Sequence, residues 1–297
     1  MFANLGSVAD AKIAVREGAE GCGLLRTEFL FLDRAAPPSE EEQREAYQSI
    51  ADALGHRPLI VRTLDIGADK PAPWLSLQAE DNPALGLRGI RLQLARPELL
   101  ETQLRALLRV RSQGPLRIML PMVATVSELR AVRSVLDRLA GDVGVNAPEL
   151  GIMVETPAAA LLADALAEQA AFLSIGTNDL SQYALARDRM NPAVAAGLDG
   201  LDPAVLRLID RTVRGARTHN RVTGVCGGLA AIREAIPILI GLGATELSVP
   251  TAAIAETKAI VRSLDLERCR ELAANCVEAP DSESVRALIS PVLEQLP

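Results

Sequence analysis

The chain has 297 residues, of which 49% are hydrophobic and 2% aromatic, so it can bury a large core of mainly aliphatic side chains. Its formal net charge of -7 excludes a general nucleic-acid-binding surface, because such a surface needs a basic stripe. No basic and apolar leader opens the chain, and no apolar run approaches the length that crosses a bilayer. The four cysteines lack a tight metal-type spacing and are expected to be free thiols. These features predict a soluble, cytoplasmic α/β protein.

Apolar runs typical of buried strands alternate with helical patterns along the whole chain, and this alternation predicts an α/β fold of the (β/α)₈ (TIM) barrel type. An open, doubly wound parallel sheet is the alternative, but eight evenly distributed strands favour closure. The eight predicted strands are Phe2–Leu5, Gly21–Leu25, Leu59–Val61, Leu116–Pro121, Leu150–Val154, Phe172–Ile175, Val222–Val225 and Glu246–Val249.

Helix boundaries can be predicted from several local signals. The S/T-x-x-E capping box, in which two side chains satisfy backbone N–H groups reciprocally, occurs at Ser39 with Glu42 and at Thr125 with Glu128. A capping oxygen directly before a proline marks helix starts at Thr156-Pro157 and Asp202-Pro203. Glycines that follow helical runs are predicted to end helices at Gly55 and Gly141.

Two segments depart from the regular alternation. The first strand directly follows Met1, so we expect another segment to precede this domain in the full protein. Residues 66–87 are too rich in proline, aspartate and glycine for a plain helix, and we expect a long loop over the mouth of the barrel. Residues 1–297 are otherwise treated as one domain.

Polar residues that could bind a ligand or take part in a reaction fall at the ends of predicted strands. In a barrel, these strand ends converge on one face. Glu155 and Asp179 follow successive strands, and two carboxylates in such positions favour a hard cation such as Mg²⁺. Arg26 and Arg62 close the second and third strands, and their planar guanidinium groups suit a phosphate or carboxylate. The remaining members of this constellation are Asn178, Arg189 and Cys226.

Each of these residues also has an ordinary structural explanation. A lone arginine near a strand end usually forms a surface ion pair, a lone acid often caps a helix, and Cys226 by itself suits a small buried side chain. The joint placement at strand ends favours a shared site for an anionic ligand and a metal. His56 and His219 are expected to be solvated and to form no catalytic pair.

Seven motifs in order resemble the C-terminal domain of Enzyme I of the bacterial phosphoenolpyruvate:sugar phosphotransferase system. They are GAEGCGLLRTEFLFLDR, VRTLDIGADK, NPALGLRGIRL, LRIMLPM, GIMVETPAAA, SIGTNDLSQYALARDRMNP and VCGGLA. The resemblance runs nearly end to end and implies a phosphoenolpyruvate-binding (β/α)₈ barrel that needs Mg²⁺ and forms a homodimer. It also implies a phosphoryl acceptor histidine in a separate N-terminal domain, whose Thr-Ser-His motif has no counterpart in this chain.

Carried over residue by residue, the resemblance implies that Glu155 and Asp179 are the metal ligands. Arg26 and Arg62 then match the phosphate clamp and Arg189 a third substrate arginine. Asn178, with the backbone beside it at Asp179, matches further substrate contacts. Cys226 matches the acid that protonates the enolate of pyruvate.

Two residues depart from the usual pattern of that family. Gly228 stands where many members have glutamate after the Cys-Gly pair, and this Gly-Gly form resembles the fused multiphosphoryl transfer proteins of fructose uptake, which carry a phosphocarrier domain. Met190 replaces a usual glycine beside Arg189. These departures bear on how the thiol of Cys226 and the loop of Arg189 are arranged.

The leading interpretation is therefore the phosphoenolpyruvate-binding half of a phosphotransferase for sugar uptake, with phosphoenolpyruvate, a histidine-bearing domain and a phosphocarrier as partners. The barrel of a pyruvate phosphate dikinase or phosphoenolpyruvate synthase is one alternative, because it shares the VET and TNDL motifs. A barrel that binds phosphoenolpyruvate only for sensing or dimerisation is the other.

Overall fold

Eight parallel strands pair in chain order in the computed structural model, and β8 pairs with β1 to close a barrel. The structure describes residues 1–32, 34–67, 72–75 and 77–297. Closure confirms the predicted (β/α)₈ barrel and rules out the open sheet. The strands are β1 Phe2–Leu5, β2 Cys22–Leu25, β3 Leu59–Arg62, β4 Leu116–Leu120, β5 Glu149–Val154, β6 Phe172–Ile175, β7 Val222–Val225 and β8 Glu246–Pro250. No strand boundary differs from the predicted one by more than one residue.

The helices lie between and after the strands. They are α1 Val8–Arg16, α2 Glu40–Leu54, α3 Gly89–Ala95, α4 Pro97–Leu108, α5 Val126–Val143, α6 Pro157–Leu161, α7 Ala163–Gln169, α8 Thr177–Ala184, α9 Pro192–Ala195, α10 Pro203–Thr218, α11 Ala235–Leu242, α12 Ile254–Ser263, α13 Leu266–Glu278 and α14 Ser282–Leu293. None of the helices in the described ranges is long and apolar enough to cross a membrane.

The predicted helix starts are confirmed. Both capping boxes form, at Ser39 before α2 and at Thr125 before α5. Thr156 accepts a hydrogen bond from Ala159 N, and Asp202 accepts one from Ala204 N. These caps satisfy backbone donors at the helix N-termini that would otherwise lack partners.

One of the two predicted helix stops is wrong. Gly55 ends α2 with a positive φ of 62°, as expected, but Gly141 lies inside α5. That helix ends at Gly144, which has φ 76° and ψ 34°. The Val145 N–H bonds to Ala140 O and the Gly144 N–H to Gly141 O, which is the pair of bonds of a Schellman motif. A left-handed residue followed by these bonds, rather than the first glycine in the run, determines where the helix stops.

The core has two layers, as expected of a barrel. A large aliphatic cluster fills the space between strands and helices. A small cluster fills the barrel interior and consists of Leu24, Ile60, Met119, Met153, Phe172 and Cys226. All four cysteines are buried and unpaired, as predicted.

The predicted loop at residues 66–87 partly falls outside the described residues, at positions 68–71 and 76. Within the described part, a short 3₁₀ turn spans Pro83–Leu85, and the Tyr183 hydroxyl of α8 donates to Ala84 O. Of the two histidines, His56 is exposed as predicted, whereas His219 is half-buried against Asp164 at 3.2 Å.

Candidate active site

A cavity of about 450 Å³ opens at the carboxyl ends of the barrel strands. All seven predicted site residues line it, namely Arg26, Arg62, Glu155, Asn178, Asp179, Arg189 and Cys226. Each comes from a strand end or from the segment that follows one, where the loops of such barrels converge. The folding of the barrel therefore brings together residues that are up to 200 positions apart, from Arg26 to Cys226.

Glu155 is the most constrained acid of the cavity. It is 1% exposed, and its Oε1 accepts a hydrogen bond from Met122 N at 2.6 Å. Burial raises the pKa of Glu155 to about 8, and the nearby Asp179 and Asp65 carboxylates add to this effect. A Cβ at Gly176 would lie 3.0 Å from Glu155 Oε2, so the carboxylate rests on backbone that carries no side chain.

Asp179 lies in the first turn of α8 and contacts two arginines. Its Oδ1 is 3.3 Å from Arg88 Nη1, and its Oδ2 is 3.3 Å from Arg189 Nη2. Asp179 thus joins the loop after α8 to the segment before α3. Its position also places a second carboxylate beside Glu155, as the strand-end pattern predicts.

Arg88 belongs to the site but was missed by the sequence reasoning. It is 1% exposed, and its Nη2 lies 3.2 and 3.1 Å from the two oxygens of Asp65. Arg88 lies in the motif NPALGLRGIRL, which is one of the seven that resemble the family. It follows a loop rather than a strand, so a search for polar residues at strand ends does not find it. Asp65 does follow a strand, three residues after the end of β3, but the sequence reasoning did not single it out.

Arg62 is buried and paired with acids. Its Nη2 contacts Glu28 Oε1 and lies 3.4 Å from Asp65 Oδ2. Burial alone would lower the pKa of Arg62, but the Glu28 and Asp65 carboxylates raise it, so the group stays charged. The guanidinium reaches the cavity from within this acidic cluster.

Arg26, unlike Arg62, is exposed and is not paired with an acid among the described residues. Its side chain is exposed, and among the residues that the structure describes no ion pair or side-chain hydrogen bond engages its guanidinium. Only the backbone is fixed, because Arg26 N donates to Leu5 O at 3.0 Å. The guanidinium group of Arg26 is therefore available to bind a ligand in the cavity.

Asn178 and Gly228 are joined across the cavity wall. Gly228 N donates to Asn178 Oδ1 at 2.9 Å, which leaves the amide nitrogen of Asn178 as a donor. A Cβ at position 228 would lie 3.0 Å from the same oxygen, a tight approach that suits glycine. Met190, the other departure from the family pattern, is exposed at 74% and does not line the cavity.

Cys226 lines the cavity and also belongs to the cluster that fills the barrel interior. It is 3% exposed, and its Sγ lies 3.7 Å from Ile175 O. Burial raises the pKa of Cys226 to about 12, whereas the Ser174 hydroxyl and the Arg62 guanidinium act in the opposite direction. The group is therefore a thiol at neutral pH and can serve as a proton donor.

The acidic residues of the cavity fit a magnesium ion, which takes few ligands from protein, better than a metal whose ligands all come from protein side chains. Within the described ranges no group of three or more His, Cys, Asp and Glu side chains is placed to hold a metal ion. Mg²⁺ is commonly bound through one or two carboxylates, with substrate phosphate and water completing its shell. Glu155 and Asp179 provide two carboxylates. The pKa of Glu155 is raised first by burial and then by the nearby Asp179 and Asp65, and a bound cation would oppose both effects.

The fold is a (β/α)₈ barrel, and the cavity at its carboxyl face is lined by arginines and by two carboxylic acids. The family described as "PEP-utilising enzyme, PEP-binding domain" matches residues 1–266. This chain belongs to that family, so its cavity lies in a domain class that binds phosphoenolpyruvate.

Similar proteins extend the match to nearly the whole chain. A multiphosphoryl transfer protein of Rhodobacter capsulatus is 48% identical over 288 residues, which are 97% of this chain and 35% of the relative. A second, from Xanthomonas campestris, is 50% identical over 289 residues, 96% of this chain and 34% of the relative. A phosphoenolpyruvate-protein phosphotransferase of Haloferax volcanii is 46% identical over 297 residues, 97% of this chain and 53% of the relative. The chain thus spans about a third to a half of the length of these relatives.

Proposed function

We propose that this chain is the phosphoenolpyruvate-binding part of a phosphoenolpyruvate-protein phosphotransferase. It passes the phosphoryl group of phosphoenolpyruvate to a histidine on another domain and releases pyruvate. The observation that carries the proposal is the assembly of all seven predicted residues around one cavity. The names of the relatives, at 46–50% identity, support the same activity.

The arginines supply the charge and shape that a phosphate requires. Arg26 offers a guanidinium that no side chain of the described residues engages, and Arg62 a guanidinium held in place by Glu28 and Asp65. Arg189 adds a third cation at the edge of the cavity. Planar guanidinium groups bind phosphate oxygens bidentately, which fixes the orientation of the substrate as well as its charge.

Glu155 and Asp179 would hold the divalent cation. When bound, Mg²⁺ supplies positive charge that neutralises phosphate and enolate oxygens. Without the cation, the pair of acids would keep negative charge beside a multiply charged anion, and Glu155 would hold its proton, so we expect substrate binding to require the cation.

Cys226 completes the reaction. When the acceptor histidine nitrogen bonds to phosphorus, the bond between phosphorus and the bridging oxygen breaks, and its electron pair leaves on the enolate of pyruvate. The S–H bond of Cys226 then breaks, the proton bonds to the methylene carbon, and sulfur keeps the electron pair as a thiolate. The protonated state of Cys226 in the resting protein fits this role of a general acid.

The partners of the whole protein are part of the same proposal. We infer an N-terminal histidine-bearing domain, a phosphocarrier protein or fused domain, a homodimer and a cytoplasmic location. The resemblance to Enzyme I supports each of these, and the names of two relatives support a fusion of several phosphotransfer domains. Service to a sugar uptake system follows from the same resemblance.

A transfer assay tests the activity. Phosphoenolpyruvate labelled on phosphorus is incubated with this chain, Mg²⁺ and an added Enzyme I histidine-bearing domain, and label on that domain is measured together with pyruvate. We expect transfer only when the chain and Mg²⁺ are both present, and loss of transfer in Asp179→Asn. The exposed neighbour Asp188, changed to Asn, is the control and should leave transfer unchanged. Binding of phosphoenolpyruvate without transfer would instead support a sensing barrel.

The proton-transfer role of Cys226 has its own test. Cys226→Ser should keep phosphoenolpyruvate affinity within a few-fold but slow pyruvate formation by on the order of a hundredfold, the usual scale for a lost general acid. With phosphoenolpyruvate that carries tritium stereospecifically on its methylene carbon, the parent in D₂O should add deuterium to one face of that carbon and give a chiral methyl group. Equal turnover and equal facial selectivity in the variant would show that Cys226 is only a packed thiol.

A further inference from the structure

Ser174 is a buried hydroxyl beside the proposed acid, close enough to lower the pKa of Cys226. The residue is 2% exposed, and its Oγ has no hydrogen-bond partner among the residues that the structure describes. A buried hydroxyl that lacks a partner costs free energy, so such groups in folded proteins call for an explanation. Nothing in the proposed reaction so far uses this group.

The strand register directs Ser174 towards Cys226. Side chains alternate between the two faces of a strand, so Ser174 shares the inner face of β6 with Phe172, which lies in the barrel interior with Cys226. Ser174 pairs with Gly224 of β7, and Cys226 follows Gly224 by two residues on the same inner face. Because Gly224 has no side chain, residue 224 does not block the path from the Ser174 hydroxyl to the Cys226 sulfur.

The electrostatic surroundings of Cys226 show what its thiolate would need. The charged groups that act on it are Arg62 of β3, Glu155 after β5 and Glu246 of β8. Only the arginine among these favours a thiolate, and Ile175 O, the present partner of Sγ, is an acceptor that would repel it. The Ser174 hydroxyl is the neutral donor that favours the thiolate.

We propose that Ser174 is a positioning residue whose hydroxyl turns to donate a hydrogen bond to the Cys226 sulfur once the thiol has given up its proton. This inference rests on the proposed role of Cys226. In the resting protein the Cys226 S–H group donates to Ile175 O, and the Ser174 hydroxyl does not yet donate to the sulfur. In the step itself the S–H bond breaks and a C–H bond forms at the methylene carbon. The Ser174 O–H stays intact and stabilises the electron pair left on sulfur.

Two measurements on this chain test the inference. The first is the rate at which iodoacetamide alkylates Cys226 between pH 7 and 10, followed for the Cys226 peptide by mass spectrometry. The second is exchange of pyruvate methyl protons for deuterium with Mg²⁺ in D₂O, followed by NMR. Both rates depend on the thiolate of Cys226, and a hydrogen bond to a charged group is strong. We expect Ser174→Ala to lower both by roughly ten- to a hundredfold, and phosphoenolpyruvate affinity to stay within a few-fold.

Matched variants separate this effect from a change in packing. Ser174→Thr keeps the hydroxyl and should retain most of the parent rates. Thr223→Val removes a buried hydroxyl from β7, at a position that alternates with the inward-facing Gly224, and should leave both rates unchanged. Loss of alkylation in Ser174→Ala but equally in Thr223→Val would mean a general packing defect and would overturn the inference.

The outcomes also distinguish this inference from the proposed function. If Cys226→Ala abolishes exchange while Ser174→Ala exchanges and alkylates like the parent, the acid role stands and the role of Ser174 is refuted. If Cys226→Ala exchanges like the parent, the acid role itself fails. Slower alkylation in Ser174→Ala would even then show that the hydroxyl stabilises the thiolate.

Discussion

The two arginines of the predicted phosphate clamp differ in how the protein holds them. Arg62 is buried between Glu28 and Asp65, whereas Arg26 is exposed and, within the part of the chain that the structure describes, is hydrogen-bonded only through its backbone. An ammonium group cannot reproduce the fork of a guanidinium, so a lysine at either position keeps the charge but loses the bidentate geometry.

This difference predicts two separable phenotypes. Arg26→Lys should weaken phosphoenolpyruvate binding without changing the free energy of unfolding. Arg62→Lys should weaken binding and also lower the free energy of unfolding by on the order of 1–2 kcal/mol, because Glu28 and Asp65 lose aligned donors. Calorimetry and urea denaturation measure the two effects. If Arg62→Lys loses stability but binds phosphoenolpyruvate like the parent, Arg62 has only a structural role.

Polar residues at the carboxyl ends of barrel strands are expected to share one site, and this expectation explains which site residues could be predicted from sequence. It found the seven residues that line the cavity because the carboxyl ends of barrel strands converge whatever their spacing in the chain. It could not find Arg88, which precedes α3, and it did not single out Glu28 and Asp65, each three residues after a strand end. Their side chains meet only because the barrel closes, and no local pattern records that contact.

At the scale of elements, α8 connects the cavity to the segment before α3. Asp179 and Tyr183 are four residues apart and thus share one face of this helix, and both contact Arg88 Nη1. The Tyr183 hydroxyl donates to Ala84 O and receives the Arg88 N–H at 3.4 Å. One hydroxyl therefore fastens the described segment 82–88 to the helix that carries Asp179.

Tyr183→Phe removes this connection with little change in volume. We expect amide hydrogen exchange in residues 82–88 to become roughly tenfold faster, the effect of losing about one hydrogen bond. Exchange in α5 serves as the internal control and should not change. Unchanged exchange in residues 82–88 would mean that other contacts hold the segment.

Element boundaries show where sequence signals are strong. The strands were predicted to within one residue because apolar runs end at polar residues or turns on both sides. The end of α5 was misplaced because two glycines follow the same helical pattern and only Gly144 adopts the left-handed conformation. Composition cannot decide between two such glycines, since the choice depends on the bonds that the following residues make.

At the scale of the whole molecule, the barrel contains a second titrating acid that does not line the cavity. Glu246 begins β8, and its pKa is raised to about 7 by burial, against the opposing effect of Arg117. Between about pH 4.5 and 7 the unfolded chain loses this proton while the folded protein keeps it, so the free energy of unfolding falls as pH rises. Above that window both states are ionised and this dependence disappears.

A neutral side chain should remove the effect. We predict that Glu246→Gln matches the parent in stability near pH 4.5 and exceeds it by roughly 2–3 kcal/mol at pH 8. Urea denaturation across this pH range measures the difference, in which the contributions of other titrating groups cancel. The exposed Glu283, changed to Gln, is the control and should show no such trend. A constant difference between Glu246→Gln and the parent at all pH values would contradict the prediction.

The coupling of metal and substrate in the cavity is the central claim, and calorimetric titration of this chain with phosphoenolpyruvate measures it most directly. Glu155 and Asp179 both line the cavity in which we propose that the multiply charged anion binds. The account predicts binding only when Mg²⁺ or Mn²⁺ is present, and loss of this metal-dependent binding in Glu155→Ala and in Asp179→Ala. Asp188→Ala, an exposed neighbour outside the cavity, should behave like the parent. Equal affinity with and without the metal, or unchanged affinity in both acid variants, would contradict the account.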